Sequence, residues 1–165
     1  MDAHTIQIRP ATQSDREAIR EVARDAWHET YDELDPETVD QTVDAWYDDE
    51  AFANALDEPG TAVRVAEHDR EVVGFTHGVV HEDEGDVLRM YVHPAHQGRG
   101  IGTALHERLR ENLEDFNMRR MRAIDLVSNE GGQAFYERLG FERTGEGEVE
   151  LGGENRREVV YTLEL

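Results

Sequence analysis

The chain of 165 residues contains no cysteine and no lysine. Without cysteine, a disulfide framework and thiol catalysis are both excluded. No apolar run approaches the ~18 residues that a membrane-spanning helix requires, and the N-terminal stretch MDAHTIQIRP has no apolar core of the kind that a signal peptide carries. These absences predict a cytoplasmic protein with no membrane partner.

Positive charge is also scarce. Only 17 basic residues, all of them arginine, face 38 Asp and Glu residues, for a formal net charge of -21. The acids are spread along the whole chain between apolar positions, unlike those of a disordered acidic tail. The pattern is typical of a protein in a very salty cytoplasm, where carboxylates stay hydrated and the Debye length falls to about 3 Å at about 1 M salt. The charge disfavours nucleic acid as a partner.

Apolar periodicity predicts a mixed α/β fold that forms one domain over residues 1–165. The predicted order is β-α-α-β-β-β-α-β-α-β-β, with about four helices flanking a mixed central sheet of about seven strands. The first strand covers residues 5–12, Ser14 and Glu17 form a capping-box pattern before the first helix, and Asp35-Pro36 starts the second. AFANAL is assigned a short turn. Segment 86–127 is expected to be a right-handed parallel crossover.

The stretch VHPAHQGRGIGTAL (92–105) combines a strand that ends at Pro94, a glycine-rich loop and the start of a helix. Free N–H groups at a helix N-terminus attract anions, glycines let them approach closely, and Arg99 adds a charged fork. The alternative is that the glycines only make a tight turn. A dinucleotide fingerprint fits poorly, because the third glycine comes one place early and an antiparallel meander precedes the loop.

Two motifs in this chain resemble those of the GCN5-related N-acetyltransferases (GNAT). Residues 97–102, QGRGIG, match the family's Q/R-x-x-G-x-G/A signature, and VHP upstream is its usual strand end. Downstream, SNEGGQAFYERLGF resembles the second signature, whose matching positions are Asn129, Gly132, Tyr136, Gly140 and Phe141. The resemblance covers essentially the whole chain.

The resemblance implies acetyl-CoA as co-substrate and no metal. It implies that main-chain groups of Met90, Tyr91 and Val92 bind the pantetheine arm. The pyrophosphate would be held by loop amides, those of Gln97, Gly98, Arg99, Gly100, Ile101, Gly102 and Thr103. Asn129 would contact the cofactor and also cap a helix. Tyr136 would protonate the CoA sulfur, since a phenol with a pKa near about 10 is protonated at neutral pH; the alternative is an aromatic wedge.

Asp86 matches the position of a general base in some members of the family. Strand alternation predicts that it shares a face with Leu88, Met90 and Val92. The neighbouring acids Glu82, Asp83 and Glu84 could serve through water, and His77 or His81 could also act. The alternative for each acid is a solvated turn. His93 and His96 are interpreted as loop residues, since no further ligands cluster with them.

Residues 24–47 match the variable helix pair that walls the acceptor site in similar proteins. Trp27 and Tyr31 are one helical turn apart, so they either line the acceptor pocket together or pack in the core. The basic run from Arg119 to Arg122 either contacts the adenosine 3′-phosphate or complements the dipole at a helix C-terminus.

The leading hypothesis is transfer of an acetyl group from acetyl-CoA to a primary amine of a small molecule, peptide or protein, by direct attack in a ternary complex. The alternative is a non-catalytic module that binds or senses acyl-CoA. Dimers are frequent among similar proteins, so a homodimer is the oligomer that the resemblance suggests.

Overall fold

The structure is a computed structural model that describes residues 6–165. Within that range it contains seven strands and five α-helices, so the predicted strand count is confirmed. The strands are β1 (Gln7–Pro10), β2 (Thr61–His68), β3 (Glu71–His81), β4 (Glu84–Val92), β5 (Arg120–Leu126), β6 (Glu142–Leu151) and β7 (Glu154–Glu164). The helices are α1 (Arg16–Thr30), α2 (Pro36–Trp46), α3 (Asp49–Asp57), α4 (Ile101–Asp115) and α5 (Glu130–Arg138).

All seven strands form one sheet in the order β1-β2-β3-β4-β5-β7-β6. Every neighbouring pair is antiparallel except β4 and β5, which run parallel and are joined through α4. The predicted parallel crossover over 86–127 is therefore confirmed. Thr5, where the first strand was expected to begin, lies outside the described residues.

Helices cover both faces of the sheet. α1, α2 and α3 pack on one face around Trp27, Tyr47 and Phe75, and α4 and α5 pack on the other. α4 lies close to the sheet because two strand glycines leave room for it. A Cβ atom at Gly78 would come within 2.6 Å of Leu109, and one at Gly85 within 2.5 Å of Leu113.

Two local predictions are corrected. The turn before α1 is closed by Asp15, whose carboxylate accepts the Thr12 N–H at 2.8 Å, rather than by Ser14 and Glu17. Asp15 takes this role because its carboxylate is also held by a partly buried ion pair with Arg9 of β1, at 2.8 Å. AFANAL belongs to a full helix, α3, because Asp48 caps its first turn by accepting the Ala51 N–H at 2.8 Å and Phe52 is fully buried.

No helix within residues 6–165 is long and apolar enough to cross a lipid bilayer.

Candidate active site

The site is built where β4 and β5 separate. Their pairing ends at Val87 and Ala123, although β4 continues to Val92. Along residues 88–92 the edge of β4 that faces β5 therefore has no strand partner, so main-chain groups on this edge, apart from the carbonyl oxygen of Val92, can bind a ligand. A cleft of about 400 Å³ opens on the side of α4 and α5, and a second of about 260 Å³ opens toward α2. Both are lined by Tyr31, Arg89, Tyr91 and Asp125, so the two clefts meet at the separation.

The glycine-rich loop lines the larger cleft. Gly98 and Gly100 have φ angles of +79° and +81°, a left-handed conformation that favours glycine. The first N–H of α4 with an intrahelical partner is that of Ala104, which donates to Gly100 O at 3.1 Å. The preceding N–H groups, those of Ile101, Gly102 and Thr103, lie at the positive end of the helix and can bind an anion.

The structure places the predicted cofactor residues around this cleft with one exception. Met90, Tyr91, Val92, Asn129 and Tyr136 line it, together with Gln97, Gly98, Gly100, Ile101, Gly102 and Thr103. The side chain of Gln97 donates to Val92 O at 3.1 Å and so ties the loop to the end of β4. Arg99 does not line the cleft; a different cation, Arg138 of α5, does.

A β-bulge in β4 changes the face on which Asp86 lies. His77 pairs with Arg89, but the next residue, Gly78, pairs with Val87, so that Leu88 is an extra residue in β4. Strand alternation is therefore interrupted between Asp86 and Arg89.

Because of the bulge, Asp86 lines the smaller cleft with Arg89 and Tyr91, while Met90 and Val92 pack toward α4. The prediction that Asp86 shares a face with Met90 and Val92 is wrong. The Asp86 Oδ1 atom is buried without a hydrogen-bond partner among the described residues, and Arg122 Nη1 lies 4.0 Å from it. Burial raises the pKa of Asp86, with Arg122 opposing the effect.

Asp125 lies at the junction of the two clefts and was missed by the sequence reasoning. Its Oδ1 atom accepts hydrogen bonds from Tyr31 Oη at 3.1 Å and from Asn129 Nδ2 at 3.0 Å. Asn129 in turn caps α5, since its Oδ1 accepts the Gly132 N–H at 2.9 Å. Burial raises the pKa of Asp125 to about 6, although both hydrogen bonds lower it. The residue therefore titrates close to neutral pH.

Tyr136 on α5 lines the larger cleft and is 7% exposed. Its ring makes an edge contact with Phe141, at 5.1 Å between centroids, and stacks on Tyr161 at 6.2 Å. Burial, and then the nearby Asp125 carboxylate, raise the pKa of the Tyr136 phenol well above its ordinary value. The phenol is therefore protonated at neutral pH, and the ring also serves as an aromatic wedge.

Trp27 of α1 and Tyr31, which follows the last residue of that helix, both line the smaller cleft. Each is also buried, at 6% and 2% exposure, and belongs to the core between α1, α2 and the sheet. Their rings meet edge to face at 4.8 Å between centroids. Both side chains therefore pack in the core and also line the smaller cleft.

The remaining candidate bases lie away from both clefts. His77 is buried against Tyr47, whose hydroxyl lies 2.7 Å from His77 Nδ1, and burial lowers the pKa of His77 to about 4. His81 and the acids Glu82, Asp83 and Glu84 lie at the turn between β3 and β4 and line neither cleft. No group of three or more His, Asp or Glu residues that could hold a metal occurs within 6–165.

The basic run is occupied by ion pairs. Arg120 lies 3.4 Å from Glu84 and 3.3 Å from Glu164, and Arg122 lies 3.4 Å from Glu84. Neither arginine lines the larger cleft. The carboxylates at this end of β4 and β5 therefore account for Arg120 and Arg122.

Sequence reasoning missed Arg89, Asp125 and Arg138. A signal existed for Asp125, because it is the single acid inside the otherwise apolar run AIDLV. A charged group in a buried strand needs a partner or a function. Arg89 gave no comparable signal, since it occupies a regular polar position of an alternating strand until the bulge is known.

Known proteins are similar to this chain in sequence and in fold. Residues 59–143 match the family model described as acetyltransferase (GNAT) domain. An uncharacterised N-acetyltransferase of Mycobacterium tuberculosis is 29% identical over 132 residues, which are 79% of this chain and 84% of that protein.

Two solved structures are also similar. The PaiA N-acetyltransferase of Thermoplasma acidophilum, in complex with coenzyme A, aligns with a TM-score of 0.80 at 23% identity, over 93% of this chain and 98% of that one. YncA of Salmonella typhimurium, solved with its cofactor acetyl-CoA, aligns with a TM-score of 0.69 at 26% identity, over 96% and 93%. The family model spans just over half of the chain, and the chain belongs to the GNAT acetyltransferase family as an acetyl-CoA-dependent N-acetyltransferase.

Proposed function

We propose that the acetyl group passes directly from acetyl-CoA to a primary amine in a ternary complex, without an acetylated side chain as intermediate. The observation that carries this proposal is the meeting of two clefts at the separation of β4 and β5. One cleft has the anion-binding loop of a CoA site, and the other is lined by aromatic rings and carboxylates. Two substrates that enter from opposite sides would meet at the open edge of β4.

The larger cleft suits acetyl-CoA. Its loop offers the N–H groups at the start of α4 to the pyrophosphate, and Gly98 and Gly100 hold the backbone in the left-handed turns that present them. Strand alternation turns the main-chain groups of Met90 and Val92 toward the β5 side, where they can pair with the amide groups of the pantetheine arm, while those of Tyr91 face β3. Arg138 at the rim supplies positive charge in an otherwise acidic molecule.

The amine must lose a proton as it attacks the thioester, and Asp125 and Asp86 are the carboxylates that we consider as its acceptor. Asp125 lines both clefts, and its pKa of about 6 leaves it ionised at neutral pH yet basic enough to take a proton. Asp86, the base that the resemblance implies, lines only the smaller cleft. We assign the role to Asp125 first and to Asp86 second.

The thiolate of CoA leaves as the carbonyl re-forms, and Tyr136 is the acid that we assign to it. Its phenol is protonated at neutral pH and lines the cleft that suits CoA. The oxygen of the tetrahedral intermediate needs a hydrogen-bond donor, and unpaired N–H groups on the edge of β4 supply one.

The test is Tyr136→Phe, assayed by release of CoA thiol at molar KCl with a panel of small amines, amino acids and N-terminal peptides. We expect kcat to fall about 100-fold, the usual size of a general acid's contribution, with unchanged acetyl-CoA affinity by calorimetry. Tyr161→Phe is the matched control, because Tyr161 stacks on Tyr136 but donates its hydroxyl to Glu137 at 3.0 Å and lines neither cleft.

Equal activity of Tyr136→Phe and the unaltered protein would remove the acid role. Tight binding of acetyl-CoA, with no release of CoA in the presence of any amine, would instead favour the alternative of an acyl-CoA-sensing module.

We infer that residues 1–165 form one catalytic domain that works in the cytoplasm of a halophile, because the acidic, lysine-free composition suits a molar-salt solvent. We further propose that it acts without nucleic acid or membrane partners, and that a homodimer is the form to test by light scattering at high salt.

A further inference from the structure

Arg89 is oriented toward the smaller cleft by the bulge in β4. With Leu88 as the extra residue, Arg89 lies on the same face as Asp86 and Tyr91, the face covered by α1 and α2. Its guanidinium stacks on Trp46 of α2, with 4.2 Å from Cζ to the ring centroid, and lies 5.1 Å from that of Tyr47. Trp46 lines only the smaller cleft, so the charged end of Arg89 belongs to that cleft.

A hydrogen-bonded chain fixes this position. Arg89 Nη1 donates to Tyr47 Oη at 3.3 Å, and Tyr47 Oη lies 2.7 Å from His77 Nδ1. The low pKa of His77 keeps its ring neutral, so Nδ1 can accept a hydrogen bond from the Tyr47 hydroxyl. The Tyr47 oxygen is then turned toward Arg89 as an acceptor. His77 and Tyr47 are thus positioning residues for the guanidinium.

Arg89 has no carboxylate partner among the described residues, although the protein carries a net charge of -21. Most of its arginines are in ion pairs, including Arg122, which lines the same cleft but lies 3.4 Å from Glu84. The Nη1 atom of Arg89 donates to Tyr47, but its Nε and Nη2 atoms have no partner within residues 6–165, so this half-buried guanidinium can bind a carboxylate through two parallel hydrogen bonds.

The opposite charge is present in the same cleft. Asp86, Asp125 and Glu158 line it, and burial raises the pKa of each. A ligand that carries an amine and a carboxylate would satisfy both sets of groups, with its side chain against Trp27 and Trp46. A simple amine would leave Arg89 without an anion.

We propose that the acceptor is an amine that also bears a carboxylate, an amino acid or a close analogue, and that Arg89 binds its carboxylate. This inference rests on the proposed function. It makes Arg89 a specificity-determining residue of the smaller cleft.

The test compares each amino acid with the amine left by removal of its carboxylate, for example phenylalanine with phenethylamine and leucine with isopentylamine. Acetylation is followed by CoA release and mass spectrometry at molar KCl, where a partly buried pair is screened less than an exposed one. For at least one pair we expect a kcat/KM about 10-fold or more higher for the amino acid, as one charge-assisted pair would give.

Arg89→Gln should lower kcat/KM for that amino acid about 10- to 100-fold, mainly through KM, and should lower it far less for the matched amine, which has no carboxylate. Arg64→Gln is the control, because Arg64 is also half-buried without a carboxylate partner among residues 6–165, yet lines neither cleft. Arg64→Gln should change kcat/KM neither for the amino acid nor for the amine. Circular dichroism and acetyl-CoA affinity should match the unaltered protein for both variants.

Three outcomes would overturn the inference alone: amines that react as well as their parent amino acids, an Arg89→Gln variant that loses both activities equally, or one that loses acetyl-CoA affinity. A failure of every amine and amino acid to react, despite acetyl-CoA binding, would instead overturn the proposed function and this inference with it.

Discussion

The two candidate bases, Asp86 and Asp125, are both aspartates and differ only in their surroundings. Asp125 is held by Tyr31 and Asn129 where both clefts meet, whereas Asp86 has an unpaired buried oxygen and lines one cleft. Burial raises the pKa of both. Only the position of Asp125 brings a base of pKa about 6 to the junction.

The pH dependence of kcat should therefore show the titration of Asp125. Because the base must be deprotonated, we expect kcat at saturating substrates to fall as the pH drops through about 6. Asp125→Asn should lower kcat about 100-fold and remove this acidic limb, since the amide cannot take the proton. The measurement is a steady-state pH profile at constant molar KCl.

Asp86→Asn provides the comparison for that profile, since it keeps the shape of the side chain in the smaller cleft. We expect it to retain the limb near pH 6. The opposite result, in which the limb survives in Asp125→Asn and disappears in Asp86→Asn, would transfer the role of base to Asp86.

At the scale of elements, the start of α5 is fixed by a close approach to β5. A Cβ atom at Gly132 would lie 2.2 Å from Asp125 Oδ2 and 2.5 Å from Asn129 Nδ2, so no side chain fits there without moving the network. At the adjacent Gly131, the nearest atom would be 3.9 Å away, which is an ordinary contact.

Gly132→Ala should consequently lower the free energy of unfolding by about 1–3 kcal/mol, the usual cost of overpacking, and also lower kcat because Asp125 must move. Gly131→Ala should be neutral or stabilising by about 0.4–1 kcal/mol, because alanine fits and reduces the freedom of the unfolded chain. Both values come from denaturant unfolding at fixed KCl. Equal effects of the two substitutions would contradict the packing seen at Gly132.

The bulge in β4 could not be predicted from the alternation of polar and apolar residues. Alternation along DVLRMYV is regular in the sequence, and it predicted one face for Asp86 and Met90. The extra residue Leu88 is a property of how β4 pairs with β3, so it depends on the register of two strands. The helix α2, by contrast, starts at Pro36 with Asp35 as its cap, as predicted, because those signals are local.

At the scale of the whole molecule, acids exceed arginines by 38 to 17. The surface ion pairs that the arginines form, such as that of Arg143 with Glu146, are exposed and contribute little each. The repulsion among the remaining acids acts over the whole surface and is screened by salt. Screening should therefore stabilise this fold more than it weakens its ion pairs.

We expect the midpoint of thermal unfolding, followed by circular dichroism, to rise as KCl increases from dilute buffer to about 1 M, where the Debye length is about 3 Å. Sucrose at matched osmolality is the control, because it is excluded from protein surfaces but screens no charge. Full stability in dilute buffer, or an equal gain in sucrose, would contradict the halophilic interpretation.

The sequence by itself determined the order of the seven strands and of every helix except α3, the parallel crossover, the glycine loop before α4 and the family signatures, because each depends on local periodicity or on short motifs. Only the tertiary structure decided which side chains meet. Asp125 and Tyr31 are 94 positions apart, and Arg89 and Tyr47 are 42 apart, yet each pair is hydrogen-bonded. The bulge and the separation of β4 from β5 bring these side chains together, and both arise from pairing between distant segments that no local pattern encodes.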